Sequence, residues 1–282
     1  MTLFDKPTLH LLNSASLVGF SGGLRLYLAY LLAGIQPNLL LVLAASLIIY
    51  ATYTLDRSLD NKEDEVNHKE LAGSCKIIGL AASGIAIIVG SMLFFSKNLF
   101  LPPLFPFIVG VLYSRGIPLG QRSIKLKGGC GIKNAVIGVT WGGTIGLVIA
   151  FSGQIIPGIA ISLYFGLKLF INSTIFDMKD VKGDLAAGIR TLPVVFGEQK
   201  VKALLFSLYL FQHLIFLMAI FLGMIVCYKI VFLYSFVSTG IVITCYSSAF
   251  EESKLWVKRK FRNFLIDGES TISVLLSISL PC

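Results

Sequence analysis

The sequence predicts an all-α polytopic membrane protein with about nine transmembrane helices. Its 282 residues are 55% hydrophobic and only 14% charged. The mean hydropathy of +0.82 far exceeds what a soluble domain of this length needs. The apolar residues come in runs of roughly 18 to 24, the length that crosses a bilayer as a helix. We therefore expect an integral, multi-pass protein of the cell membrane.

Nine candidate spans follow one another along the chain. They cover 14–34, 38–55, 75–95, 99–114, 132–151, 155–176, 201–224, 229–249 and 266–282. The fourth is short, and the ninth is weak because it begins near Asp267 and Glu269. Long connectors on one side (56–74, 115–131, 177–200 and 250–265) alternate with short turns on the other (35–37, 96–98, 152–154 and 225–228).

Charge predicts the orientation of these spans. Of the 24 Lys and Arg residues, all but four lie in the N-terminal segment, in the long connectors or within a few residues of them. The four exceptions are Arg25, Lys97, Lys168 and Lys229. By the positive-inside rule, the long connectors and the N-terminus are cytoplasmic. All 15 acidic residues lie on that side too. Asp and Glu contribute little to the topology signal. Their one-sided distribution therefore indicates that the chemistry takes place at the cytoplasmic face.

The remaining bulk properties exclude several other classes of protein. The net charge of +9 does not indicate nucleic-acid binding, because its basic residues sit in loops between apolar runs and not on a soluble face. The five cysteines form no C-x-x-C pair and are typical of reduced packing residues. Asp5 and Lys6 precede the first apolar run without a small-residue cleavage site, so a cleaved signal peptide is not expected.

Three carboxylates crowd onto one stripe after the sixth span. In Asp177-x-x-Asp180-x-x-x-Asp184, the spacing places the side chains within about 60° of one another on a helix. Like charges at this spacing are mildly destabilising, so another interaction should offset their repulsion. A divalent cation would do so, since Mg²⁺ is held by carboxylates together with substrate phosphates.

A second acidic stripe follows the second span, four spans earlier. Asp56, Asp60 and Glu63 also share a helical face about 60° wide. The even offset puts both stripes on the same side of the membrane, as in a parallel duplication. Either stripe alone is also compatible with a solvated helix end. Their matched spacing and position favour two carboxylate sets holding Mg²⁺ ions that bridge a diphosphate.

Basic residues lie where a diphosphate needs cationic donors. Those interleaved with the acids are Arg57, Lys62, Lys179, Lys182 and Arg190. The Gly-rich connector between the two motifs adds Arg115, Arg122, Lys125, Lys127 and Lys133. This connector could close over the phosphates. Positive-inside topology or contact with anionic lipid would also explain it.

Four isolated residues have structural interpretations at this point. Arg25, inside the first span, is costly in hydrocarbon and is either a structural ion pair or a diphosphate contact. Tyr113 lies at the cytoplasmic end of the fourth span, where an interfacial aromatic anchor is the simpler interpretation. His213 is expected to be a satisfied core residue, and Pro193 a structural turn residue.

The chain resembles the UbiA superfamily of intramembrane prenyltransferases over nearly its whole length. The strongest match is the second motif, Asp177-x-x-Asp180-x-x-x-Asp184 followed by Gly188-Ile-Arg190-Thr191-Leu192-Pro193. The stretch Asp56-Arg57-x-x-Asp60 is similar to the core of the family's first motif. The family's middle region is similar to Leu112-Tyr113-Ser114, Lys133-Asn134 and Trp141.

The resemblance implies nine transmembrane helices around a central cavity. We expect one domain, 1–282, with two four-helix half-repeats (about 14–114 and 132–249) and a ninth helix (about 266–282). The implied reaction is the Mg²⁺-dependent transfer of a prenyl group from a polyprenyl diphosphate to an aromatic, quinone-precursor-like acceptor or to another lipid-biosynthetic acceptor. The implied metal ligands are Asp56, Asp60, Asp177, Asp180 and Asp184. The implied diphosphate contacts are Arg57, Lys127 and Lys179, to which Arg190 is added as a nearby cation, and Tyr113 would lie near the reacting carbon.

One departure from the family pattern concerns the first metal. The family's first motif usually begins with Asn, often Asn-Asp, four and three residues before the position of Asp56. Here these positions hold Thr52 and Tyr53. One ligand is therefore missing or replaced by Asp64 or Glu63. This suggests a divergent subgroup, whose acceptor does not follow from the better-known branches of the family.

Two other functions fit the motifs less well. A CDP-alcohol phosphatidyltransferase needs D-x-x-D-G-x-x-A-R followed by G-x-x-x-D-x-x-x-D, but Val181 stands where the Gly is required. A transporter that uses the acids as an ion relay needs carboxylates at mid-membrane, whereas the two motifs lie at one rim. No sequence feature indicates an obligate protein partner.

Overall fold

The architecture is a helical bundle with one small β-hairpin. The computed structural model describes residues 5–59, 73–115, 117–119, 122–124, 130–245 and 265–279. In chain order the helices are α1 (Lys6–Ser14), α2 (Ser16–Leu32), α3 (Leu39–Ser58), α4 (Lys76–Phe95), α5 (Leu101–Arg115), α6 (Ile132–Phe151), α7 (Ile155–Ala187), α8 (Leu192–Phe196), α9 (Glu198–Phe221), α10 (Lys229–Cys245) and α11 (Glu269–Ser279). Between α5 and α6, β1 (Ile117–Leu119) pairs antiparallel with β2 (Arg122–Ile124).

Six segments of the described chain are long and apolar enough to cross a membrane. They are Lys6–Leu32, which joins α1 and α2, together with α3, α4, α6, the Ile155–Met178 part of α7, and α9. The three other helices predicted as spans are shorter: α5 has 15 residues and contains Pro106, α10 has 17 and α11 has 11. The multi-pass prediction is confirmed, and the count of nine spans stays a prediction.

The helices nevertheless close a ring in the predicted order. In the part of the chain that the structure describes, each of α2, α3, α4, α5, α6, α7, α9, α10 and α11 packs against the next, and α11 returns to α2. In addition, α2 contacts α6 and α7 across the ring. Buried apolar residues of α2, α3, α6 and α7, with Phe94 of α4 and a few residues of α9, α10 and α11, make up most of the larger of the two described core clusters. Among the described residues, the short helices α5, α10 and α11 thus take part in the ring together with the longer ones.

The two ends of the bundle are distinct. At the turn end, defined by the short loops 33–38, 96–100, 152–154 and 222–228, the backbone amide of Val226 donates to the carbonyl of Leu32 at 2.7 Å. At the connector end, defined by the long connectors, the Cys75 amide donates to Thr8 Oγ1 at 2.8 Å. There, Lys76 Nζ also donates to the Arg57 carbonyl at 2.9 Å. Asp56 at the end of α3 and the second acidic motif at the end of α7 both lie at the connector end, whereas Asp60 and Glu63 fall outside the described residues.

Small residues allow α6 and α7 to approach closely. On α6 they are Gly138, Gly142 and Gly146, and on α7 they are Gly158, Ser162 and Gly166. Each set repeats every four residues, the spacing that brings helix backbones together in membranes. A Cβ atom added at Gly142 would lie 2.6 Å from the backbone of Gly166, which cannot move aside as a side chain could. This contact fixes α7 against the helix that carries Lys133 and Asn134.

Replacing Gly142 should therefore destabilise the bundle. We expect Gly142→Ala to cost about 1–3 kcal/mol through overpacking and to lower the melting temperature of the purified protein in detergent. The matched control is Gly84→Ala on α4, where an added Cβ meets nothing within 4 Å. Because Ala is the better helix former, that control should be neutral or slightly stabilising. Equal melting temperatures for the two variants would contradict the close helix packing.

Candidate active site

The second acidic motif lies where α7 leaves the apolar part of the bundle. The apolar segment ends at Met178, while the helix continues to Ala187. Buried Ile175 and Met178 pack with Leu192 and Val201 and anchor this end of the helix. The helix stops at Gly188, whose φ of +71° suits glycine. Asp177, Asp180 and Asp184 are thus presented on a rigid helix at the connector end.

Asp177 is buried and held by two residues from the start of α6. Its side chain is 2% exposed, and Lys133 Nζ donates to its Oδ1 at 3.1 Å. Asn134 Nδ2 donates to its Oδ2 at 2.7 Å and to Ser173 Oγ at 3.1 Å. Each carboxylate oxygen keeps a further lone pair after these bonds. The carboxylate is therefore oriented by the protein and remains able to bind a cation.

Asp184 is buried as well, and its partner comes from the turn after α7. It is 2% exposed, and Thr191 Oγ1 donates to its Oδ2 at 3.1 Å. Burial raises the pKa of Asp184 to about 6, and the nearby charges of Asp177 and Asp180 add to the rise. Lys133 and the Thr191 hydrogen bond act in the opposite direction. The second motif therefore holds negative charge with difficulty, as expected where a cation is to bind.

This raised pKa predicts a pH-dependent stability in the absence of divalent cations. The folded protein binds the Asp184 proton more tightly than the unfolded chain does, because the pKa rises from 3.8 to about 6. The resulting stabilisation is fully present below the unfolded pKa and is lost as the pH rises through 6. With EDTA present, the melting temperature of the wild type should fall between pH 4 and 7 relative to that of Asp184→Asn. A difference between the two proteins that does not vary with pH would contradict the assignment.

The first motif lies only partly within the described residues. Asp56 is exposed near the end of α3, and Asp60, Glu63 and Asp64 fall outside the described residues. Arg57 is half-buried, and its buried Nη1 atom has no hydrogen-bond partner among the described residues. A buried guanidinium nitrogen is costly without an anion. Arg57 therefore suits the diphosphate contact predicted for it.

Tyr53 and Thr52, which occupy the family's Asn positions, have local partners. The Tyr53 ring stacks on Trp141 of α6, with ring centroids 6.4 Å apart. Thr52 is exposed and its hydroxyl donates to the Ile48 carbonyl of its own helix at 2.8 Å. Tyr53 thus joins α3 to α6. The start of α6 also carries Lys133 and Asn134, which donate hydrogen bonds to Asp177 of α7.

The other predicted site residues are placed less completely. Arg190 is exposed in the turn between α7 and α8, and Arg25 is buried within α2. Tyr113 lies in the last turn of α5 and Lys179 lies on α7, but both side chains are outside the described part of the structure, as is all of Lys127. Their predicted roles stay predictions.

Two residues with roles at the site were not predicted as partners of the acids. Asn134 donates a hydrogen bond to Asp177, and Thr191 donates one to Asp184. The sequence marks both only by their place in the matched motifs, because their partners depend on how α6 and the α8 turn pack on α7. Thr191 sits seven residues beyond Asp184, and the helix stop at Gly188 folds the chain back to it.

The donor chemistry of these residues fits Mg²⁺. Carboxylate oxygens are the ligands that this hard cation prefers, and burial raises the pKa of the Asp184 carboxyl. Within the described ranges, however, no three Asp, Glu, His or Cys side chains converge on one point. That the second motif binds Mg²⁺ together with residues of the first motif stays a prediction.

Comparisons with known proteins find relatives in sequence and in fold. Digeranylgeranylglyceryl phosphate synthase from Halobacterium salinarum (strain ATCC 29341 / DSM 671 / R1) is 28% identical over 147 residues, which are 51% of each chain. The match thus spans about half the length of the curated relatives. A UbiA homolog from Archaeoglobus fulgidus bound to DMAPP and Mg²⁺ superposes with a TM-score of 0.68 at 14% identity, over 98% of each chain.

A second solved structure leads to the same fold. A structure described as giving insights into digeranylgeranylglyceryl phosphate synthase in membranes superposes with a TM-score of 0.61 at 16% identity, over 98% of this chain and 99% of the other. At these identities the two structures establish the fold alone. The model of the UbiA prenyltransferase family matches residues 26–265, which include both acidic motifs. This chain belongs to the UbiA prenyltransferase family.

Proposed function

We propose that this chain is a Mg²⁺-dependent prenyltransferase that acts at the cytoplasmic face of the membrane. The donor is a polyprenyl diphosphate, in keeping with the DMAPP and GPP bound by the Archaeoglobus homolog. The halobacterial relative is named for a glyceryl phosphate that bears two geranylgeranyl groups. That name favours a glyceryl phosphate lipid as the acceptor over a quinone-precursor-like aromatic one.

The observation that carries the proposal is the pair of buried carboxylates, Asp177 and Asp184, at the end of an apolar helix. Buried carboxylates without a structural purpose are costly, and here half-buried Asp180 lies between them on the same stripe. Cationic residues stand beside them, led by Lys133 at 3.1 Å. Such a mixture of acids and cations suits a metal-bridged diphosphate.

Each residue has a distinct part in the proposed reaction. Asp177, Asp180 and Asp184 would hold Mg²⁺ together with Asp56, Asp60 and Asp64 of the first motif. Bound Mg²⁺ would neutralise the charge that builds up on the departing diphosphate. Lys133 and Asn134 keep Asp177 in one orientation, and Thr191 does so for Asp184. The buried guanidinium nitrogen of Arg57 suits a hydrogen bond to a phosphate oxygen.

The bond changes follow from this arrangement. The bond between the prenyl C1 atom and the diphosphate oxygen breaks, and the electron pair leaves with the diphosphate. An acceptor oxygen then bonds to C1, and its proton is released to the diphosphate or to water. The apolar interior below the motifs shields the allylic cation from water until the acceptor captures it.

A transporter remains the second candidate, and one observation bears on it. Lys168 and Glu269 form a buried ion pair within the apolar part of the bundle, where relay groups are expected. Lys168 is already bonded to three oxygen atoms, which favours a structural pair over a mobile relay. The phosphatidyltransferase alternative is weaker still, because Val181 occupies the position of its motif glycine.

The proposal is tested by measuring diphosphate release and solute flux in the same proteoliposomes. The expected result is release of diphosphate from a polyprenyl diphosphate that requires both an acceptor lipid and Mg²⁺. EDTA should abolish this release, and added Mg²⁺ should restore it. Movement of substrate across the bilayer without diphosphate release would instead support the transporter.

A further inference from the structure

Lys168 is a buried cation in the middle of the longest helix. It lies thirteen residues after Ile155 and ten before Met178, the bounds of the apolar segment of α7. Lys168 and Asp177 are about 14 Å apart along the helix axis, and their side chains leave the helix on opposite faces, since nine residues place them half a turn apart. Lys168 therefore points away from the acidic stripe and takes no part in the proposed diphosphate site. A lysine at this depth is costly unless its charge is paired.

Its partner is Glu269, the first residue of the short C-terminal helix. The two side chains are 6% and 8% exposed, and Lys168 Nζ donates to Glu269 Oε1. Lys168 Nζ also donates to Ser235 Oγ at 2.8 Å and to Thr239 Oγ1 at 3.0 Å, both on α10. An ammonium group has three hydrogens to donate. All three are used, so the lysine binds protein groups and no ligand.

The surrounding polar groups extend this network across the same helices. Tyr164, one turn before Lys168, shares a hydrogen bond of 2.8 Å with Ser235 Oγ. His213 of α9 lies 3.4 Å from the same hydroxyl and is tied by its Nδ1 to the Tyr209 carbonyl at 2.8 Å. The ion pair thus joins α7 and α11, and hydroxyl groups of α10 complete it.

The C-terminal helix has few other means of staying in the bundle. With 11 residues, α11 is about 16 Å long and falls short of the hydrocarbon thickness. Besides the ion pair to α7, its extensive contacts are with α2 and α10. Many of its buried residues are serines, including Ser270, Ser273 and Ser277, which contribute little apolar area. Yet the ring of helices is complete only with α11 in place.

We infer that the Lys168–Glu269 ion pair is the latch that seats the C-terminal helix and so closes the bundle. Neither charge would be stable at this depth alone, whereas together they neutralise each other. The pairing makes the position of α11 specific to one site on α7. It is a positioning pair and does not touch the substrates.

Hydrogen exchange followed by mass spectrometry tests the latch directly. In Lys168→Met and in Glu269→Gln, exchange of the peptide 265–279 should rise at least about tenfold, because a broken buried pair leaves one charge unpaired. Exchange in α6 should stay unchanged, which separates a local release from general loss of stability. The double variant K168M/E269L leaves no unpaired charge and should restore protection. The control is Lys202→Met, which breaks the partly exposed pair between Lys202 and Glu198 on α9 and should change nothing.

Several outcomes would overturn the latch. Unchanged exchange of 265–279 in both single variants is one, and equal loss of protection in the single and double variants is another. If the single variants cannot be purified while the double variant can, the latch is supported in a stronger form. If the double variant also fails, packing and not charge pairing seats the helix.

Turnover provides a second readout, which rests on the proposed function while the exchange readout does not. Both single variants should lose activity mainly in kcat, with KM for the polyprenyl diphosphate within about threefold of wild type, because the diphosphate ligands are untouched. The double variant should recover that activity. If exchange changes as expected but no protein has activity, the latch stands and the proposed reaction fails.

Discussion

Asp180→Asn should abolish Mg²⁺-dependent release of diphosphate while leaving the yield and melting temperature of the protein unchanged. Asp180 is half-buried beyond the apolar segment of α7, between Asp177 and Asp184. Replacing its carboxylate by an amide removes a charged metal ligand without changing the size of the side chain. We expect a loss of at least about a hundredfold, as found when a charge-stabilising group is removed from an active site. Relief of like-charge crowding should keep the variant folded.

Glu198→Gln is the matched control for this variant. Glu198 also loses one charge, but it begins α9 and pairs with Lys202 at 3.1 Å, outside both motifs. The two side chains are 28% and 27% exposed, and surface pairs contribute only about 0–1 kcal/mol, so the control should keep full activity. Undiminished turnover in Asp180→Asn would remove the second motif from the mechanism.

Lys133→Met should cost both stability and activity. Lys133 is the cation that lies 3.1 Å from the buried Asp177, and its loss leaves that carboxylate with the Asn134 amide as its partner among the described side chains. Removing one partner of a buried pair costs about 3–5 kcal/mol when both groups are buried. Since the lysine side chain is 41% exposed, a smaller loss of stability is expected. Turnover should fall at least about tenfold, because Asp177 then loses the contact that orients it.

A double-mutant cycle separates the pair from its two members. Asp177→Asn removes the charge that Lys133 balances, so the double variant should be more stable than Lys133→Met alone. Activity should stay low in all three variants, because each alters Asp177 or its orientation. Melting temperatures in detergent measure the first effect and diphosphate release measures the second. Strictly additive losses of stability would show that the two side chains do not interact.

Much of the helical framework could be predicted from hydropathy alone. The predicted ranges 38–55, 75–95, 132–151 and 155–176 lie within a few residues of α3, α4, α6 and the apolar part of α7. Runs of apolar residues determine such segments locally, whatever their neighbours are. Polar helix ends were harder to predict from hydropathy. For example, α7 continues 11 residues past the predicted end at 176. There the carboxylates mask the helix in a hydropathy profile.

The contacts within the site could not be predicted in the same way. Lys133 and Asp177 are 44 residues apart, and Lys168 and Glu269 are 101 apart. Such partners depend on how helices pack around the ring, which one sequence does not specify. The carboxylate stripe was visible because i, i+3 and i+7 spacing is a local property. Lys168 was visible only as one of four basic residues that departed from the charge pattern, and its partner was visible only as a flaw in the ninth span.

The most direct test of the proposed reaction is the identity of its product. Membranes containing the protein should be given isotopically labelled polyprenyl diphosphate together with glyceryl phosphate lipids and quinone-precursor-like aromatic acceptors, and the products analysed by mass spectrometry. We predict a labelled prenyl group attached to one acceptor class, the glyceryl phosphate lipid, only when Mg²⁺ is present, and none with Asp180→Asn. Labelled donor recovered intact with every acceptor, from protein that is folded and supplied with Mg²⁺, would contradict the account.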